Sequence, residues 1–229
     1  RWQSIFRNDA PICLEVCAGA GEWAVSRAKE CTGLNWVASE IRGDRIHQIC
    51  TRMLNEGLPN LAVLGGDAAL ALQHHTQPNT FSAIWVNYPE PPPDHDDTSA
   101  NGWLLTLGFF ESVHAALTPS GEGFYIVSDN LTLLDTVAPV LLGMHAADDE
   151  APPFTPRSGT MAGQPAVKHA GLSRAGAALI GEGLPAGFGD GGSSYFDRLW
   201  ASRAKQRRFF LHMTKGGRLR HESQSGPTS

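Results

Sequence analysis

The sequence predicts an α/β domain in which a mostly parallel sheet carries helices on both faces. Short apolar runs alternate with amphipathic helical segments from residue 12 to about residue 142, a pattern typical of strand–helix–strand units. The composition agrees with this, since 229 residues suit one such domain. A hydrophobic fraction of 41% with only 18% charged residues is enough for a sizeable core.

The alternating pattern divides the first 142 residues into strands and helices. The predicted strands are Ile12–Cys17, Asn35–Ser39, Leu61–Leu64, Phe81–Asn87 and Phe124–Ser128. The predicted helices are Glu22–Glu30, Asp44–Glu56, Ala68–His74, Leu104–Leu117 and Leu131–Leu142. Gly57 and the turn at residues 118–121 are helix stop signals. A last strand is predicted at Arg207–Met213.

The rest of the chain is less regular, and we divide the whole into four parts. Residues 1–150 are the predicted core, 193–215 its final strand region and 216–229 a disordered tail. Residues 151–192 contain ten of the 25 glycines and five of the 15 prolines. Such a stretch has too little apolar surface to offset its ordering entropy, so we predict a flexible insertion.

The net charge is −5, yet residues 198–220 contain eight basic residues and no acid. Two interpretations stay open for this stretch: a phosphate-binding surface, or a solvated charged edge. The four cysteines match no disulfide or metal-ligand spacing, which predicts reduced thiols, an intracellular protein and no metal site. No apolar run reaches the length of a membrane span and no signal peptide is visible, although a segment preceding Arg1 is left open.

A small-residue loop follows the first strand and predicts a nucleotide-shaped site. Gly19 and Gly21 lack the Cβ atoms that would hinder a sharp turn or a closely approaching ligand. The next helix begins directly afterwards and points free N–H groups into the same crevice. Dinucleotides and S-adenosylmethionine are both bound by such loops. An acid ahead of the loop, here Glu15, is typical of the second class.

Acidic residues also end the second and third strands. Glu40 lies 21 residues after Gly19, where a carboxylate can accept hydrogen bonds from both ribose hydroxyls of either cofactor. Asp67 is placed to reach an adenine edge, but a simple N-cap of the next helix explains it equally. The fourth strand ends in Asn87-Tyr88-Pro89-Glu90. This rigid turn suits a planar, hydrogen-bonding substrate, and a purely structural loop is the alternative.

In these motifs the chain resembles the tRNA (guanine-N7-)-methyltransferases, which are class I S-adenosylmethionine-dependent enzymes. The similar segments lie in order and cover residues 1–142 and about 193–213. They are Trp2-x-x-Ile5-Phe6-x-Asn8, Leu14-Glu15-Val16 with Gly19-x-Gly21-Glu22-Trp23, Ser39-Glu40-Ile41-Arg42, Gly66-Asp67-Ala68, Tyr88-Pro89-Glu90-Pro91-Pro92-Pro93 and Ser194-Tyr195-Phe196-Asp197. The resemblance implies a Rossmann-like class I methyltransferase fold with a mostly parallel, seven-stranded sheet.

The resemblance also implies a role for individual residues. The residues expected to bind S-adenosylmethionine are Glu15, Gly19, Gly21, Glu40, Ile41, Asp67, Ala68 and Asn87. Those expected to bind the substrate are Tyr88, Glu90, Ser194 and Asp197, with a base stacked on Tyr88. Glu90 and Asp197 are the expected catalytic residues, which accept guanine N–H groups and offset the charge developing on the base. The implied partner is tRNA, with room for an accessory protein subunit.

The chain departs from the family where the substrate is expected to bind. Glu90 and Asp197 stand where the family has Asp and Glu, and Cys17 replaces the first glycine of the loop. The family's basic stretch is replaced by residues 94–97, Asp-His-Asp-Asp, whose charge would repel tRNA phosphates. Two alternatives therefore stay open: a methyltransferase that acts on a protein or small amine, and an inactive paralogue that serves as a binding or scaffold subunit.

Overall fold

A computed structural model of the protein describes residues 2–91, 103–144, 151–157, 171–189 and 207–219. These residues contain seven α-helices and one sheet of eight strands. The helices are α1 Trp2–Phe6, α2 Glu22–Glu30, α3 Gly43–Glu56, α4 Ala68–His75, α5 Leu107–Ala116, α6 Leu131–Leu142 and α7 Arg174–Leu179. The strands are β1 Ile12–Val16, β2 Asn35–Glu40, β3 Leu61–Gly65, β4 Ala83–Asn87, β5 Gly123–Ser128, β6 Phe154–Pro156, β7 Gly181–Glu182 and β8 Phe209–Lys215.

The strand order of the sheet is β3-β2-β1-β4-β5-β8-β6, with the short β7 paired to β8. Strands β1 to β5 are parallel, and β8 lies antiparallel between β5 and β6. After β1 the chain forms β2 and β3 on one side of β1, and the next strand, β4, pairs with the other side of β1. The topological switch point, where such folds bind ligands, therefore lies between β1 and β4. The predicted Rossmann-like class is confirmed, and the two-residue β7 brings the described strands to eight rather than seven.

Two apolar clusters cover the two faces of the sheet. On one face α5 and α6 bury Phe109, Phe110 and Leu134. On the other face α2 and α3 bury Trp23 and Ile49. Every residue of β4 and β5 is buried, which explains the continuous apolar sequence of these central strands.

The predicted elements up to residue 142 are confirmed, with small shifts at their ends. Helix α5 begins at Leu107 rather than Leu104, because the Thr106 side chain accepts a hydrogen bond from the Phe109 amide and caps the helix there. The fourth strand begins at Ala83, since Phe81 forms only an isolated bridge. The last strand is displaced two residues toward the C-terminus, to Phe209–Lys215.

Residues 151–157 and 171–189, which belong to the predicted flexible insertion, pack on the domain. Strand β6 pairs with β8, and Ser173 at the start of α7 donates to the Asp135 carboxylate from both its amide and its hydroxyl. Phe154 and Phe188 are 2% and 0% exposed. The few apolar residues of these two segments fill gaps in an existing core, so the segments need no core of their own.

Residues 216–219 of the predicted tail also pack on the domain. The amides of Gly216 and Gly217 donate to the Pro153 and Pro152 carbonyls, and Leu219 is buried. Residues 220–229 lie outside the described part of the chain. Among the helices that the structure describes, none is both long and apolar enough to cross a membrane.

Candidate active site

The adjacent ends of β1 and β4 both turn through left-handed backbone. Val16 pairs with Val86, so Cys17 and Asn87 follow at the same level of the sheet. Cys17 has φ 63° and Tyr88 has φ 49°. A left-handed conformation costs a non-glycine residue about 1–2 kcal/mol. Strain of this kind concentrates at functional sites, which makes the β1–β4 edge the candidate site.

The two glycines of the loop after β1 have different roles, although both have positive φ values of 57° and 77°. A Cβ atom on Gly21 would lie 2.8 Å from Cγ1 of Ile49, so packing of α3 against the loop requires a glycine there. A Cβ atom on Gly19 would meet no atom of the described residues within 4 Å. Open space beside the backbone at Gly19 is what a closely approaching ligand needs.

Glu15 is buried beneath this loop and joins β4 to α2. Its Oε2 accepts the Ala24 amide at 3.1 Å, which satisfies a free donor in the first turn of α2 that Gly21, having no side chain, leaves open. Its Oε1 accepts Nδ2 of Asn87 at 3.0 Å. Burial raises the pKa of the Glu15 carboxyl to about 8 in spite of both hydrogen bonds.

Asn87 carries an unsatisfied acceptor at the same edge. Its side-chain Oδ1 is buried and accepts no hydrogen bond from the residues that the structure describes. A buried polar atom left in this way costs about 1–3 kcal/mol. A ligand that offers an N–H or O–H group at this position would recover that free energy.

Glu40 holds the loop against the end of β2. Its Oε1 accepts the Ile41 and Arg42 amides, both at 2.9 Å, and its Oε2 accepts the Gly19 amide at 2.8 Å. The guanidinium of Arg45 lies 3.8 Å from Oε2. Sequence reasoning missed Arg45, although a basic residue in the first turn of the helix that follows an acid was an available signal. Glu40 thus fixes the loop and also remains a candidate for contact with ribose.

The turn after β3 lies beside Ile41 and extends the candidate site past the end of β2. Gly66 donates to the Glu40 carbonyl at 3.0 Å, which brings this turn beside Ile41. Ile41 is 66% exposed, which is unusual for a large apolar side chain, whereas Ala68 is buried. Asp67 caps α4, because its Oδ1 accepts the amides of the second and third helical residues at 2.7 and 3.3 Å. Contact with adenine remains a prediction for Asp67 and Ala68, and binding of the cofactor remains one for Ile41.

Acids at the ends of three strands raise the pKa of the Cys17 thiol. The pKa of its thiol is raised to about 12, first by burial and then by the negative charges of Glu40, Glu15 and Glu90. These acids come from the ends of β2, β1 and β4, which are distant in the sequence. We call the edge of the sheet formed by these strand ends the acidic crevice. Because the pKa of Glu15 is raised to about 8, the negative charge of this edge at neutral pH comes from Glu40 and Glu90, and Arg45 offsets part of it.

The two described substrate-side residues differ in exposure. Tyr88 is 9% exposed and lies in the apolar cluster with Trp85, so little of its ring is available for stacking in this conformation. Glu90 is exposed. Ser194 and Asp197 lie outside the described residues, as do residues 94–97. Among the residues that are described, no group of three or more His, Cys, Asp or Glu side chains could hold a metal ion.

The described part of the basic stretch is engaged in contacts within the domain. Arg207 forms an ion pair with Glu182, and Lys215 donates to the Asn79 side chain and to the Leu117 carbonyl, both at 3.0 Å. These contacts favour the solvated-edge interpretation for these two residues.

A family model described as "Putative methyltransferase" matches residues 9–152, which include β1 to β5 and the acidic crevice. The chain belongs to this methyltransferase family. The match covers every element that positions the crevice, so the geometry above is that of a methyltransferase domain.

The chain is also similar to the tRNA (guanine-N(7)-)-methyltransferase of Chlamydia muridarum (strain MoPn / Nigg), with 39% identity over 141 residues. The alignment covers 62% of this chain and 62% of that protein, so it spans about three fifths of the relative's length. The resemblance predicted from the motifs is thereby confirmed.

Two solved structures are similar over most of the chain. One is an antibiotic-related methyltransferase, with a TM-score of 0.53 and 11% identity over 93% of this chain and 92% of that one. The other is an rRNA methylase from Streptococcus thermophilus, with a TM-score of 0.51 and 14% identity over 91% of this chain and 88% of that one. At such low identity these structures support the fold alone.

Proposed function

We propose that the protein transfers a methyl group from S-adenosylmethionine to N7 of a guanine in tRNA. The observation that carries the proposal is the β1–β4 switch point, where Gly19 leaves open space beside the backbone and Oδ1 of Asn87 is buried with no partner among the described residues. The tRNA part rests on the similarity to the Chlamydia relative and on the turn at Tyr88-Pro89-Glu90. A tRNA substrate implies an intracellular reaction.

The residues present fit this cofactor. The carboxylates of Glu40 and Glu90 would stabilise its positive charges, and Oδ1 of Asn87 offers an unused acceptor for its ammonium group. Glu40 would accept the ribose hydroxyls, while the exposed Ile41 and the Asp67 turn would contact adenine. When bound, the cofactor supplies an electrophilic methyl group.

The residues on the substrate side would orient guanine rather than deprotonate it. Guanine N7 carries an in-plane lone pair, so the reaction requires no general base, and alignment accounts for most of the catalysis. Glu90 and Asp197 would accept N–H donors of the base and offset the positive charge that it gains. Ser194 would add a hydrogen bond, and Tyr88 would support the turn from beneath. The base would be presented from a loop or flipped out of its stack.

The test combines cofactor binding with methyl transfer. Calorimetric titration should show that S-adenosylmethionine binds. Labelled methyl should then enter bulk tRNA, and mass spectrometry of the digested nucleosides should identify 7-methylguanosine. Absence of cofactor binding would favour the scaffold alternative instead. Labelling of a basic protein extract in place of tRNA would favour the protein or amine methyltransferase.

The acidic stretch at residues 94–97 is the strongest argument against tRNA as the substrate. Changing Asp94, Asp96 and Asp97 to Lys should raise tRNA affinity if phosphates pass near this stretch, because each like charge removed reduces repulsion. Affinity that does not change with these substitutions would mean that the phosphates lie elsewhere. The matched control is the triple change to Asn, which should raise the affinity less.

A further inference from the structure

Two arginines at the start of α3 are engaged in different ways. Arg42, directly before the helix, donates two hydrogen bonds to the Asp44 carboxylate, at 3.1 and 2.9 Å. The guanidinium of Arg45 instead lies 3.8 Å from Oε2 of Glu40, which is too far for a hydrogen bond. The Arg45 side chain is 42% exposed, so a ligand at this edge can reach its donors.

The position of Arg45 is unfavourable for the helix itself. Aligned peptide dipoles leave the N-terminus of a helix partly positive, so a cation in the first turn is repelled. Asp44, in the same turn, has the charge that the helix prefers. Arg45 therefore serves a group outside α3, and the buried carboxylate of Glu40 is the group that it faces.

The hydrogen bonds that Glu40 already accepts leave space for one further donor. A carboxylate has about four lone-pair positions, two on each oxygen. The Ile41 and Arg42 amides take both positions on Oε1, and the Gly19 amide takes one on Oε2. The remaining position is on Oε2, the oxygen that Arg45 approaches. Glu40 can therefore accept one ribose hydroxyl, on the oxygen next to Arg45.

A hydroxyl group both donates and accepts, and the gap between Glu40 and Arg45 suits one that does both. A hydrogen-bonded hydroxyl oxygen lies roughly 2.8 Å from a carboxylate oxygen and roughly 2.9 Å from a guanidinium nitrogen. Such an oxygen bridges two atoms 3.8 Å apart without movement of either side chain.

We propose that Arg45 is a specificity-determining residue, which donates a hydrogen bond to the same ribose hydroxyl of S-adenosylmethionine that donates to Oε2 of Glu40. This inference rests on the proposed function and adds a residue of α3 to the cofactor site.

Calorimetric titration with three ligands tests this contact. The ligands are S-adenosylmethionine and its 2′-deoxy and 3′-deoxy analogues, each of which lacks one ribose hydroxyl. Arg45→Met removes the guanidinium donors and keeps a straight side chain. We expect it to raise the Kd for S-adenosylmethionine about tenfold, because one charge-assisted hydrogen bond is lost. For the analogue that lacks the bridging hydroxyl, the same substitution should change the Kd less than about twofold.

Arg52→Met is the matched control. Arg52 lies on the same helix, its side chain is similarly exposed at 44%, and it also pairs with an acid, Glu22, at 3.1 Å. An effect of lost charge or lost helix contacts in general would appear in both variants. Arg52→Met should leave the Kd of all three ligands at the wild-type value.

A second measurement combines Arg45→Met with Glu40→Gln. Once Glu40 no longer holds the hydroxyl against the guanidinium, the loss of Arg45 should matter less. We expect Arg45→Met to raise the Kd less than about threefold in the Glu40→Gln background, against about tenfold in the wild type. A full tenfold rise in both backgrounds would show that the two residues act independently.

The outcomes separate this inference from the proposed function. A wild-type protein that does not bind S-adenosylmethionine overturns both. A wild type that binds it, with an Arg45→Met variant of the same affinity, overturns the Arg45 contact alone. So does an Arg45→Met variant that loses affinity by the same factor for all three ligands, because a merely structural role would give that result.

Discussion

The loop at residues 15–24 and the turn at residues 88–91 lie at the same edge of the sheet but are stabilised differently. Glu15 in the loop and Glu40 beside it are buried and accept hydrogen bonds from backbone amides of the protein itself. In the turn, the aromatic side chain of Tyr88 is buried and the acid, Glu90, is exposed. The loop carboxylates thus fix the backbone before any ligand arrives, whereas the turn carboxylate is available to a partner.

The cofactor-binding and substrate-binding motifs of the chain also differ in how well they match the family. The loop, whose glycines and acids the fold itself requires, matches the family pattern closely. The turn carries Glu90 in place of Asp and leads into an acidic stretch. A position that both supports the fold and binds the cofactor tolerates few residue types, because two requirements must be met. An exposed position that contacts only the substrate has to meet one. Changes in the loop should therefore affect folding and cofactor binding together, and a change at the exposed Glu90 should affect methyl transfer alone.

The largest effect is expected at Glu90. Glu90→Gln removes the charge that would offset the methylated base, which should lower the single-turnover rate of methyl transfer about a hundredfold. The Kd for S-adenosylmethionine should stay at its wild-type value. Glu90→Asp, which keeps the carboxylate, should retain most of the rate. A Glu90→Gln variant with the wild-type rate would remove Glu90 from catalysis.

Next in size is the effect of Glu40→Gln on cofactor affinity. The new amide would place an N–H group against a backbone N–H at Gly19 or at Ile41 and Arg42, and would weaken contact with ribose. We expect the calorimetric Kd for S-adenosylmethionine to rise about a hundredfold. Asp44→Asn is the matched control, because Asp44 is an exposed acid of the same region whose ion pair with Arg42 contributes little. Equal Kd values for both variants would contradict the assignment of Glu40.

The two loop glycines offer a comparison of folding with binding. Gly21→Ala adds left-handed strain and a clash with Ile49, so the free energy of unfolding should fall by about 2–4 kcal/mol. Gly19→Ala adds the strain without the clash, and the fall should be about 1–2 kcal/mol. Cofactor affinity should nevertheless fall in Gly19→Ala, because its methyl group occupies the open space. Denaturant unfolding and calorimetry measure the two effects, and an unaltered affinity in Gly19→Ala would place the ligand elsewhere.

The last prediction concerns the pH dependence of stability. The pKa of Glu15 is raised from 4.5 to about 8, so the folded state holds a proton that the unfolded state releases between these values. The contribution of Glu15 to stability is therefore complete below pH 4.5 and is lost as the pH rises toward 8. Glu15→Gln cannot ionise, and its stability should fall less steeply over this range than that of the wild type. Parallel curves of unfolding free energy against pH would show that Glu15 does not titrate there.

The parts of the site that could be predicted from the sequence are those that depend on residues close together in the chain. The strand, the loop with Gly19 and Gly21, and the helix after it follow from local patterns of apolar and small residues. The N-cap at Asp67 follows from its place directly before a helix. The hydrogen bond between Glu15 and Asn87 joins residues 72 positions apart, and the one between Trp23 and Phe188 joins residues 165 positions apart. No local pattern specifies such pairs, because they depend on which strands become neighbours.

The sequence by itself determined the order of strands and helices up to residue 142, the Rossmann-like class, the loop with its acids and the family. Periodicity and turn chemistry act between residues close in the chain, so they can be read from it directly. Only the tertiary structure decided that residues 151–157 and 171–189 join the core, that Tyr88 is buried, and that acids from three strand ends raise the pKa of Cys17. Burial and electrostatic potential are sums over neighbours in space, and those neighbours exist only once the sheet has assembled.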